Sequence, residues 1–144
     1  MPKTPTKKIR SPRKVTARFR GAGHPVPGLI GPLLEFDLAA ETEQLRQEDP
    51  WKSTSRNAKT LVKYADLRIV LMAMKAGTLM EGHKADGSIS IHTLTGKLRL
   101  HLSEQTVELP AGRLLTLERA LPHDVEALEE SSFLLTISWP KGVY

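Results

Sequence analysis

The chain has 144 residues, 40% of them hydrophobic, and no cysteine. That length suits one domain able to bury a core, and the missing thiols exclude a disulfide framework and any thiolate nucleophile or metal ligand. The formal charge of +5 is uneven: of 21 Lys and Arg, eight fall in residues 1–34, where no acid occurs, which leaves thirteen bases against all 16 acids beyond. The chain is a basic arm on a slightly acidic domain, so any argument from charge to nucleic acid rests on the arm alone.

Residues 1–33 read as that arm. The first twenty are rich in Lys, Arg, Thr, Ser and Pro with no helical or strand period, as expected of a flexible tail. Residues 21–32 hold three prolines and four glycines, the composition of a linker laid across a domain. Leu29, Ile30, Leu33 and Leu34 are its expected anchors. Residues 34–55 read as a helix and linker packed on the main domain. Asp37 can cap the helix by accepting from a first-turn amide. Leu38, Thr42 and Leu45 share one face, and Pro50 marks the expected stop. Trp51 follows and is expected to seal the helix against the domain.

Residues 56–144 form the expected barrel. Residues 58–64 alternate, and residues 67–74 are almost continuously apolar, as in a strand covered on both faces. Further strand patterns cover residues 88–94, 97–103, 106–109, 113–117, 123–128 and 133–139. Asp86-Gly87, Thr95-Gly96 and Ala111-Gly112 supply turns. Six to eight strands with such punctuation predict a jelly roll or barrel. No run of residues is apolar for long enough to span a bilayer, and the basic N-terminus lacks the apolar segment of a secretory signal. A cytoplasmic protein with no membrane partner is expected. In a eukaryote the acid-free, Arg- and Thr-rich start would also fit an organelle transit peptide.

The order of residues from Gly77 to Ala127 resembles the two motifs of the cupin superfamily, in particular its small single-domain conserved barrels. The first motif runs Gly, five residues, His-x-His, three or four residues, Glu, six residues, Gly. The second runs Gly, five residues, Pro-x-Gly, two residues, His, three residues, Asn. Gly77, His83, Gly96, Gly112 and His123 stand in register. Ala85 replaces the second His, Ile89 the Glu, Glu118 and Ala120 the motif-two Pro and Gly, and Ala127 the Asn. The resemblance implies an all-β double-stranded β-helix, with His83 and His123 on the lumen at two of the four usual ligand positions. It also assigns the face carrying Ile89, Ile91 and Thr93 to the lumen. Alternation then puts His92 outside, and likewise His101, because Leu98, Leu100 and Leu102 share the opposite face of their strand.

Glu81 lies two residues before His83 and shares its face if the strand is regular there. Two imidazoles and one carboxylate make a facial triad, an arrangement that holds iron and other divalent metals. Zn, Fe, Mn, Ni and Cu are all compatible with the type of donor, so the ligands do not name a metal. The bland alternative is that the two histidines are pocket polar groups bonded to one another, to Glu81 or to water. No Gly-rich phosphate loop follows a strand and opens a helix, and no Ser, His and Asp spacing matches a nucleophile elbow.

Three readings of function follow. The first is a barrel that binds a small molecule in its lumen, as a sensor or a degenerate enzyme, with His83, His123 and Glu81 as polar handles. The second is a metal-dependent cupin enzyme, of dioxygenase or isomerase type, using His83 and His123. The third is a nucleic-acid-associated regulator whose arm contacts phosphate; with Phe19 its one aromatic residue, binding would be non-specific and salt-sensitive. A homodimer is expected from the outward Ile and Leu near His92 and His101, and from the spare N-terminal segment.

Overall fold

In the computed structural model, which describes residues 29–140, Asp37 opens the first helix, α1 (Leu38–Gln47). Its carboxylate accepts from the Ala40 amide at 3.1 Å, the cap expected from the sequence. Thr42 and Leu45 are the buried positions of α1, on the face read from the pattern. Glu48 is extended and ends the helix, but the chain then re-enters helix as α2 (Asp49–Thr54). Pro50 is therefore a start rather than a stop. In a first turn the amide it lacks has no helical partner to lose, and its fixed φ already suits the helix. Trp51 is buried on α2, with the Arg46 guanidinium 5.8 Å and the Lys75 ammonium 5.4 Å from the ring centre.

The rest is strand. Nine strands occur among the described residues: β1 (Arg56–Lys63), β2 (Leu67–Met74), β3 (Leu79–His83), β4 (Ser88–Thr95), β5 (Lys97–His101), β6 (Thr106–Pro110), β7 (Leu114–Leu117), β8 (His123–Ala127) and β9 (Ser131–Ser138). They form a five-stranded sheet in the order β1-β2-β9-β4-β7 and a four-stranded sheet in the order β3-β8-β5-β6. Every pairing is antiparallel. Sequence neighbours such as β3 and β4 lie in different sheets, the crossing pattern of a jelly roll. The count exceeds the expected six to eight because short β3 escapes the alternation test.

Two apolar clusters follow from the two faces of the larger sheet. Between the sheets lie Met74, Ile89, Ile91, Leu98, Leu100, Leu109, Val125 and Phe133. The buried Thr93 hydroxyl donates to the Leu109 carbonyl at 3.0 Å, a tie from one sheet to the other. Outside the larger sheet, Leu45, Trp51, Leu61, Val62, Leu71 and Ala73 pack with Leu34 and Phe36. The anchoring of the preceding segment differs from expectation. Leu34 packs, but Ile30 is 78% and Leu33 70% exposed. The segment is held instead by backbone: the Leu29 carbonyl accepts from the Lys63 amide at 2.8 Å, and the Gly31 carbonyl from the Tyr64 hydroxyl at 2.6 Å. The expectations for residues 1–28 lie outside the described residues. No helix among the described residues is long and apolar enough to cross a membrane.

Candidate functional site

The site grows from the β3–β8 pair. Met80 stands opposite Val125, and His83 opposite His123. Two residues separate the β3 positions and one the β8 positions, so Glu81 and Gly82 together face Asp124 in a β-bulge. Gly82 makes this possible with φ +73°, a conformation that costs a residue with a side chain. Its amide donates to Asp124 Oδ1 at 2.7 Å, which fixes the bulge from the neighbouring strand. The strand is thus not regular at Glu81, the condition on which its shared face with His83 depended. Glu81 is exposed, while Met80 beside it is buried in the core between the sheets. The side chain of His83 lies outside the described residues; its backbone is brought opposite His123 as the motifs imply.

His123 is 7% exposed and sits at the start of β8. Its Nδ1 lies 3.0 Å from the Leu121 carbonyl oxygen. A carbonyl only accepts, so Nδ1 carries the proton and in the neutral ring Nε2 is the acceptor nitrogen. The loop that positions His123 is tied to the loop after β3: the Ala120 amide donates to the Ala85 carbonyl at 2.9 Å. Ala120 holds φ +67°, so alanine occupies the left-handed conformation at the place of the motif glycine.

Between the sheets at this end is a hollow of about 270 Å³. Met72, Ile89, Ile91, Phe133, Leu135 and Ile137 of the larger sheet form one side. Met80, His123 and Val125 form the other, with Lys84 and Ala85 from the connecting loop. Ile89 and Ile91 face inward, as the resemblance assigned them. The sequence reading missed Lys84, Met72 and Met80. Lys84 holds the x of His-x-His, which alternation turns outward, but β3 ends at His83, so Lys84 belongs to the loop and lines the hollow from there. Met80 is masked in the pattern by the bulge.

His92 and His101 are on outer faces. His101 Nε2 lies 2.8 Å from Glu126 Oε1, beside Arg99 paired to Glu108 at 2.7 Å and Lys97 at 3.5 Å from the same Glu108. The hydrogen bond from Arg99, aided by Lys97, holds the Glu108 carboxyl below the usual carboxylate range and raises the Arg99 guanidinium. His92 stands between Leu114 and Leu134 on the outside of the larger sheet. A more open hollow of about 330 Å³ involves Ser88, Ser90, Thr116, Thr136 and Ser138. It lacks the motif histidines, and the enclosed lumen is the better candidate.

The cupin resemblance implies a metal, and the donor set does not fit one. Where the second His and the Glu would stand, Ala85 and Ile89 give the lumen a methyl and a buried hydrocarbon. Among the described residues no three His, Asp or Glu side chains gather so that they could hold an ion. His123 is the one described lining residue with an imidazole, and no carboxylate lines the hollow with it.

Among solved structures, a conserved protein of unknown function from Streptococcus pyogenes is similar at a TM-score of 0.65 and 21% identity, over 84% of this chain and 100% of that one. A cupin superfamily protein from Desulfitobacterium hafniense is similar at a TM-score of 0.63 and 12% identity, over 81% and 100%. An RmlC-like cupin protein from Desulfovibrio desulfuricans gives a TM-score of 0.57 at 21% identity, over 64% and 90%. No family model and no curated protein matches the chain.

Proposed function

We propose, from the cupin fold that this chain shares with those structures, that its barrel lumen binds a small molecule, as a sensor or a degenerate enzyme. One observation carries the reading: the hollow is lined by hydrocarbon and thioether with two polar residues, His123 and Lys84, and Lys84 directly follows the residue paired with His123. That is the general composition of a ligand pocket, in which apolar walls supply affinity and a few polar groups fix orientation. His83, by its backbone pairing with His123, belongs with them. Glu81 would contribute only by leaving its exposed position in the bulge.

The test is the replacement of His83 and His123 by Ala, with native mass spectrometry of untagged protein to show what co-purifies. Loss of the co-purifying molecule with the melting temperature within a few degrees supports a site. A parent protein that carries nothing, with a large melting loss in the variant, would show that the histidines are structural.

The same reading includes a homodimer. Its support is Leu114, 61% exposed on the outer sheet face next to His92. Light scattering at micromolar concentration is expected to give twice the chain mass. A cytoplasmic location completes the proposal; the separate alternative is a nucleic-acid-associated regulator whose residues 1–33 contact phosphate. Removal of those residues is expected to abolish any salt-sensitive binding of DNA or RNA.

A further inference from the structure

The sign of the ligand's charge follows from the groups around the lumen. Lys84 is the one charged residue among the described residues that line it, and His123 the one other titratable group. The nearby carboxylates are engaged or turned elsewhere. Asp124 accepts from the Gly82 amide, Glu126 meets His101 on the outer face, and Glu81, Asp86 and Glu118 are exposed and do not line the hollow. A cationic ligand would meet hydrocarbon and a like charge. An anion would meet an ammonium at the rim of an apolar wall, where screening by water is weaker than on an open surface.

The shape adds to this. Lys84 lies in the loop leading into β4, whose Ile89 pairs with Ile137 of β9. Phe133 is four residues further along β9, about 13 Å at ~3.3 Å per residue. At ~30 Å³ for a water-sized group, the 270 Å³ hollow has room for about nine such groups. The polar lining residues are Lys84 and His123, brought near one another by the pairing of His83 with His123. Met72 and Met80 give the interior adaptable thioether walls, able to pack flat or flexible hydrocarbon.

We infer that the lumen takes a small apolar monocarboxylate of about nine or ten non-hydrogen atoms, its carboxylate at Lys84 and its hydrocarbon against Met72, Met80 and Phe133. The inference rests on the lumen being a binding site, and the experiment separates the two. Octanoate, 1-octanol and octylamine are titrated calorimetrically into the full-length protein at low salt, as are phenylacetate and 2-phenylethanol. Each acid is expected to bind about tenfold tighter than its alcohol, the worth of one charge-assisted contact. Octylamine is expected to bind weakest. Lys84→Met is expected to bring acid and alcohol to within about threefold, and Ala85→Phe, which narrows the hollow, to weaken both. Lys84 is exposed, so an unchanged melt shows that its variant is folded. Alcohol bound as tightly as acid, amine preferred over acid, or an acid preference that survives Lys84→Met overturns the inference and leaves the lumen reading standing. Binding of none of the five, or binding indifferent to Ala85→Phe, overturns the lumen reading itself.

Discussion

Ala120 shows what a single position stores. Its φ of +67° is the left-handed conformation, which costs a residue with a Cβ about 1–2 kcal/mol. The turn keeps the shape that a motif glycine would give it and accepts the strain of alanine. Ala120→Gly removes the strain but adds roughly 0.5–1 kcal/mol of unfolded-state entropy. A net gain of about 0.5–1 kcal/mol is expected, measured by urea unfolding; a loss of stability would contradict it. The outer-face charges give a second residue-scale expectation. Arg99 depresses the folded value of Glu108, so the contribution of Glu108 is present above the unfolded value and is lost as pH falls through the folded one. The window therefore lies in acid, below the ordinary glutamate value of about 4.3. An NMR titration is expected to place the Glu108 midpoint below that value, and Arg99→Met to move it up; a midpoint that stays put would remove the cause assigned here.

At the scale of elements, legibility followed regularity. Residues 67–74 were readable as a strand because both faces are covered, so the apolar run needs no period, and β2 has those bounds. Helix α1 announced itself through the Asp37 cap. What failed to show were the irregular pieces. Pro50 is ambiguous by its chemistry, since the property that ends one helix opens the next. Strand β3 hides because Glu81 and Gly82 occupy one place in its ladder, which turns a period of two into noise. The same bulge explains why the lumen was half legible: His123 stands in a fixed motif, whereas Met80 and Lys84 enter through a break in alternation. The bulge is testable. A Cβ on Gly82 meets no atom within 4 Å, so Gly82→Ala should cost only its backbone strain, about 1–2 kcal/mol. Gly96 is the contrast: its φ is +80° and a Cβ there would collide with the Glu130 carbonyl and Ser131. Gly96→Ala is expected to cost more than Gly82→Ala in the same denaturant series, and the reverse order would refute the packing argument.

On the scale of the whole molecule, the question is whether this barrel offers the frame on which the cupin motifs would hang four donors. Both motif loops remain joined, by the Ala120 to Ala85 hydrogen bond, and the register still sets His83 opposite His123. The two motif positions without a donor are Ala85 and Ile89, both on the wall of the lumen. Ala85→His with Ile89→Glu therefore rebuilds the four-residue pattern in an otherwise unchanged fold. Without metal the new glutamate replaces a core isoleucine that is 5% exposed, and burial of an unpaired carboxyl should destabilise the variant by several kcal/mol. With a divalent ion present, charge and donors are matched, and binding to the folded state alone should restore the loss by linkage. A melting temperature well below the parent's in chelator, recovering by many degrees with Zn²⁺ or Ni²⁺, is the expected pattern, while the parent melt should hardly respond. A variant that folds but gains nothing from metal would mean that the lumen keeps the cupin backbone without the directions its side chains need. In that case the hydrocarbon at Ile89 belongs to the packing of the lumen wall and does not stand in the place of a usable donor.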